Sequence, residues 1–293
     1  GLDAALEQSS KLIKRAGQSD AVIATIDDRA GVADLCLLAE LLEQRGDSAA
    51  ANAALERVAA AEPGTADSQR VRLSKLRQDW PRALEAGARL FHAPGGRKAA
   101  TARMLADFAE RSRDPLAALS WIREWRKLSP GTAPAVLEEA RLLRTLGRDG
   151  ESLRVLRLAA GQMADNPEIR SALAQACRDA GQFPEALSLF AGLYEQAPDA
   201  AQKLRVIHTW AETAAEANRI PELLDQFDER RRQNRTATGP LLALAEIHAI
   251  NGDREKQQRM LSEAARIRPD DADLALQLSS MQEADGLIPV AMD

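Results

Sequence analysis

The sequence predicts an all-α protein, a solenoid in which antiparallel helix pairs stack one on the next. Three observations carry that prediction. Apolar residues fill 45% of the 293 positions while aromatics supply only 3%, so the core must be built mainly from Ala and Leu, which suits closely approaching helices. Small residues recur in phase at Ala39, Ala106, Ala140, Ala174, Ala211 and Ala245, with intervals of 67, 34, 34, 37 and 34 residues. Each is followed at fixed offsets by a turn position and then by a large apolar residue. No alternating Val/Thr/Tyr run interrupts the pattern, so no sheet is expected.

The turn position lies seven residues after each alanine and reads Gly46, Arg113, Gly147, Gly181, Asn218 and Gly252. Gly and Asn tolerate the left-handed backbone that ends a helix. The apolar anchor lies sixteen residues after the alanine and reads Leu55, Ile122, Leu156, Phe190, Phe227 and Leu261. Pro63, Pro130, Pro198 and Pro269 then stand at one further common offset, as closing residues. The second helix of several pairs opens on an apolar residue and Pro, as in Trp80-Pro81, Phe183-Pro184 and Ile220-Pro221. Proline fits there because a first helical residue has no intrahelical acceptor for its missing N–H.

This pattern resembles the tetratricopeptide repeat, whose period is matched best by residues 167–200 through Leu173, Ala174, Gly181, Phe183, Ala186, Phe190 and Pro198. The resemblance implies an α-α superhelix, a single solenoid over 1–293 of about eight helix pairs. On this phase the units run 32–65, 66–98, 99–132, 133–166, 167–200, 204–237 and 238–271, after a degenerate pair at 3–29. Two units depart from the family spacing: 66–98, where the register of Val71, Leu73 and Leu76 is unclear, and 204–237, which has Arg230 where the family has Ala. Residues 272–293 read as the start of a further, truncated repeat or a cap, with Gly286 to Ala291 repeating the helix-opening pattern. Gly1, followed at once by a helical pattern, reads as a cloning remnant. The native protein is therefore expected to extend further, and a leader sequence could have preceded it.

The formal net charge of −5 is unevenly spread. Residues 66–130 carry 14 Lys and Arg against 7 Asp and Glu, whereas the segments on either side are net acidic. A basic zone between acidic ones can steer an acidic partner, or it can simply be a soluble helical surface. No apolar stretch approaches the ~20 residues of a membrane span. A soluble chain is expected, in the cytoplasm or periplasm. Cys36 and Cys177, about four repeats apart, read as buried hydrophobes that cannot reach each other.

Chemistry is poorly served. His92, His208 and His248 are the only histidines and have no zinc-like spacing with the cysteines. Pro94-Gly95-Gly96-Arg97-Lys98 lacks the Ser/Thr and preceding strand of a phosphate loop and reads as a plain loop. No metal, no cofactor and no catalysis are expected. Trp121 and Trp125, four apart, share a helix face, and Trp125 and Trp210 fall at core positions. The run from Glu229 to Arg235 reads as a solvated helix end.

The resemblance implies that the first helix of each pair lines a concave groove, from the positions three before and one and four after the alanine. Those positions make Arg103, Asp107, Arg141, Arg144, Gln175, Arg178, His208 and Glu212 the candidate peptide-binding residues, with Cys36, Glu40 and Glu43 at the N-terminal end. Arg forks can grip carboxylates, so an acidic segment at the centre is one reading. The plainer one is that these charges pair between neighbouring helices. The carboxylate-clamp Lys and Asn of chaperone-binding relatives are missing. The expected function is a scaffold for a protein or peptide, the alternative an accessory or assembly arm of a larger enzyme or export complex. Nucleic acid is disfavoured by one Tyr and five Phe, which offer few stacking platforms. A monomer or weak dimer is expected.

Overall fold

In a computed structural model the described residues, 2–27 and 29–284, form seventeen helices joined by short turns, with no strand among them. The chain divides into two compact units, residues 1–146 and 147–293. The first holds α1 (Leu2–Arg15), α2 (Ser19–Thr25), α3 (Val32–Arg45), α4 (Ser48–Ala61), α5 (Pro63–Leu76), α6 (Trp80–His92), α7 (Ala99–Arg111), α8 (Pro115–Leu128) and α9 (Ala133–Thr145). The second holds α10 (Asp149–Gln162), α11 (Pro167–Asp179), α12 (Phe183–Gln196), α13 (Ala200–Glu216), α14 (Ile220–Gln233), α15 (Thr238–Ile250), α16 (Arg254–Ile267) and α17 (Ala272–Ala284). From α3 to α9, and again from α10 to α13, each helix packs against the one before it, so the short turns make neighbours antiparallel. The helix-opening pattern expected at 286–291 lies outside the described residues. Among the described residues no helix is long and apolar enough to cross a membrane.

The turns follow from two adjacent residues. Gly46, Arg113, Gly147, Gly181, Asn218 and Gly252 all have positive φ, between 56° and 89°. In several turns the next residue is Asp, and its carboxylate accepts a backbone N–H of the next helix: Asp47 from Ala50 at 3.0 Å and Asp114 from Ala117 at 2.9 Å. One dipeptide thus ends a helix and caps the next. All six phased alanines and all six apolar anchors are buried. The helix-opening Trp80, Phe183 and Ile220 each begin a helix with Pro directly after them.

Two expectations change. Pro63 does not close a unit: it is the first residue of α5, separated from α4 by Glu62 alone. The unclear register over 66–98 also resolves. Its turn residue is Gln78, with φ of 58°, followed by the capping Asp79. Counting back from Gln78, the small-residue position holds buried Val71 and the anchor position holds buried Gly87. Large and small have been exchanged across the helix pair. A Cβ built on Gly87 would lie 3.7 Å from Val71 Cγ2 and only 2.7 Å from Leu105 Cδ2, so Val71 and Leu105 fill the volume an anchor side chain would need.

In the second unit, the three-residue insertion is absorbed by α13, which has 17 residues against 13 in α11 and in α15. Arg230, on α14, lies 4.8 Å from the Phe227 ring centre and 5.3 Å from that of Tyr194, and it pairs with Glu195. An arginine is accepted at an alanine position because aromatic faces and a carboxylate receive its guanidinium. Trp125 and Trp210 are buried, as expected.

Candidate functional site

All the candidate residues lie on first helices of their pairs; Arg103, Asp107, Arg141, Arg144, Gln175 and His208 are exposed, and Arg178 and Glu212 are half-buried. In the N-terminal unit a cleft of about 900 Å³ runs over α1, α3, α5 and α7, with Lys11, Lys14, Arg72 and Lys75 around Val71, Leu76, Leu90 and Met104. A second cleft of about 650 Å³ lies over α7 and α9 and shares Met104. Arg103, Asp107 and Arg141 line it together with Glu110, Glu138 and Trp125. Arg103 stacks 5.4 Å from the Trp125 ring centre. Asp107 accepts from Arg111 at 2.9 Å. Arg141 pairs with Glu138 at 2.6 Å and with Glu110. Arg144 is exposed three residues further along α9.

Two groove positions implied by the resemblance are not on the surface. Cys36 is 1% exposed and Glu40 is 2% exposed, because α1 packs on this face of α3. Glu40 accepts from Ser10 on α1 at 2.6 Å and from Arg72 on α5 at 2.7 Å. Glu43 pairs with Arg77. The acidic character expected at this end is therefore offset, because both carboxylates are already paired with arginines of α5 and the turn after it. Both cysteines are buried, and burial pushes the Cys177 thiol up to about 11.

In the C-terminal unit a cleft of about 880 Å³ lies between α11 and α13. Ser171, Gln175, Gln202 and Thr209 line it over a floor of Phe190, Leu193 and Val206. Arg178, Glu212 and His208 stand outside that cleft, in an ion ladder across α11, α13 and α15. Arg178 bonds Glu212 at 2.9 Å and Glu216 at 2.9 Å. His208 Nε2 lies 3.4 Å from Glu212 and Nδ1 lies 2.6 Å from Glu246. Glu138 and Glu216 complete these networks: Glu138 lies three residues from Arg141 on the same helix, a spacing that marks a partner, whereas Glu216 meets Arg178 across 38 residues of sequence and no local spacing marks it. Among the described residues no cluster of His, Cys, Asp and Glu is placed to hold a metal ion.

The two histidines of this unit titrate in opposite directions. The Glu246 hydrogen bond holds His208 above the ordinary imidazole value, whereas burial holds His248 below it. The stabilisation from charged His208 is complete below the unfolded pKa of about 6.5 and fades as pH rises through the raised native value. For His248 the contribution is present above about 6.5 and is lost as pH falls. An NMR titration should place the His208 midpoint above that of His248, and Glu246→Gln should lower only the former. A His208 midpoint unmoved by Glu246→Gln would show that the ladder does not form in solution.

No family model matches the chain, and no curated protein does. Solved structures do. The complex "Structure of Naa15/Naa10 bound to HypK-THB" is similar over 96% of this chain and 61% of its own, at 12% identity and a TM-score of 0.50. YrrB, described as a TPR protein with an unusual peptide-binding site, is 19% identical over 68% of this chain and 100% of its own, with a TM-score of 0.40. A tetratricopeptide repeat protein from Parabacteroides merdae is 12% identical over 86% of this chain and 98% of its own, with a TM-score of 0.42.

Proposed function

We propose that this chain, a tetratricopeptide-type solenoid, is a protein-interaction scaffold that holds a peptide or partner helix against the first-helix faces of its units and performs no chemistry on it. One observation carries the reading. In each unit an open cleft runs across neighbouring first helices, with an apolar floor and polar side chains along it. An amphipathic helix or an extended strand has the shape to fill such a cleft, burying apolar side chains on the floor and meeting the polar rim. Seven of the eight candidate residues divide between two roles, Arg144 lining neither cleft. Arg103, Asp107, Arg141 and Gln175 border the clefts, while the Arg178, Glu212 and His208 ladder holds the first helices of the C-terminal unit together.

The test is capture of partners by the whole chain, identified by mass spectrometry. Wild type is compared with Met104→Arg, Val206→Arg and, as a control away from the clefts, Leu158→Glu. Leu158 is 61% exposed. The expected result is a partner retained by the control and lost with one cleft variant. A partner that survives both cleft variants would remove the clefts as the binding surface.

A further inference from the structure

We infer that the paired clefts of the N-terminal unit take an acidic protein segment with apolar side chains, gripped by Lys14, Lys75 and Arg103. The inference rests on the scaffold reading and assigns it a ligand chemistry. It follows from which charges are left after internal pairing. Every carboxylate lining the two clefts already has a cation: Glu7 has Lys11, Glu40 has Arg72, Asp107 has Arg111, and Glu110 and Glu138 share Arg141. Among the described residues Lys14, Lys75 and Arg103 have no carboxylate partner, and all are exposed. Lys75 stands 6.0 Å from the Phe108 ring centre and Arg103 lies over Trp125. These unpaired cations sit on α1, α5 and α7, along one continuous face joined by Met104.

That leftover positive charge is where a negative ligand gains most, because it displaces no existing ion pair. Arg141, by contrast, would have to release Glu110 and Glu138 first. The apolar floor decides the class of ligand. Leu76 is 62% exposed and stands in the cleft with Leu90 and Met104. A polyphosphate chain would leave these side chains in water, whereas aliphatic side chains of a peptide would bury them. The Trp125 ring, covered by Arg103, offers no free platform for a base.

The experiment uses the full chain and a fluorescein-labelled peptide of repeating Glu-Leu-Leu-Glu, followed by fluorescence anisotropy. Comparators are Lys-Leu-Leu-Lys, Glu-Ser-Ser-Glu and oligothymidylate. The Glu-Leu peptide should bind best, and more weakly as salt rises. The triple variant Lys14→Gln/Lys75→Gln/Arg103→Gln should bind it roughly tenfold more weakly. Arg82→Gln/Lys98→Gln/Lys127→Gln, which removes the same charge elsewhere, should bind as wild type does. Circular dichroism checks that each variant is folded. Equal binding by both triple variants would overturn the inference, and so would no binding of the Glu-Leu peptide or a preference for any comparator. None of those outcomes touches partner capture through the clefts, which tests the scaffold reading separately.

Discussion

Gly87→Leu is expected to destabilise the N-terminal unit by about 2–3 kcal/mol, although it restores the residue type that the repeat pattern has at that position. The reason is volume. A Cβ at Gly87 would stand 2.7 Å from Leu105 Cδ2, and Leu105 is fully buried. Neither α6 nor α7 can give way without opening the cluster of Ala83, Ala86, Phe91, Leu105 and Phe108. Relief of a helical glycine returns only about 1 kcal/mol. Val71→Ala empties space beside the same site and costs about 1–2 kcal/mol by itself through lost burial. The double variant should recover part of the combined loss, since the two positions share one volume. Denaturant unfolding of the wild type, both singles and the double measures the coupling. Strict additivity would show that the exchange of large and small residues is not compensatory.

Glu40→Ala should cost about 3–5 kcal/mol, several times what an exposed ion pair contributes. Its carboxylate is 2% exposed and joins three helices: Ser10 on α1 donates to it, and so does Arg72 on α5. Removing it leaves the largely buried Arg72 guanidinium without its counter-charge and the Ser10 hydroxyl without that acceptor. Glu40→Leu/Arg72→Met should recover most of the loss, because an apolar pair of similar volume needs no desolvation. The measurement is chemical denaturation, with hydrogen exchange of α1 as a local readout. A loss below about 1 kcal/mol, typical of exposed pairs, would mean that water reaches the site.

These two sites mark where the reading of the chain stopped short. The repeat phase was legible because its residues act locally or through simple burial. A left-handed turn favours Gly or Asn whatever surrounds it, and a helix face needs its small and large residues at helical spacing. So the alanines, anchors and turns lie where the pattern puts them, including Arg113, a residue with no turn preference of its own. In the unit from 66 to 98 the pattern failed because Val71 and Gly87 satisfy a sum of volumes, and no single position reveals a sum.

The candidate groove was legible in its helices but not in its chemistry. Offsets from the alanine identify residues on the first-helix face, and Arg103, Asp107, Arg141 and Gln175 do border clefts. Which of them keeps a charge available depends on partners some 30 residues away, such as Glu110 for Arg141 and Glu212 for Arg178. Lys14 and Lys75 carry no mark in the sequence, because nothing local distinguishes an unpaired lysine from a paired one.

By itself, then, the sequence determined the all-helical class, the period, the turn sites and the anchors, since each rests on backbone preference or on burial within one helix pair. The tertiary structure alone decided that Glu40 is buried beneath α1, that Gly87 is filled from its neighbours, and which cations remain unpaired. Those outcomes depend on packing and pairing between helices distant in sequence, where volume and charge are shared among several chain segments and belong to none of them singly.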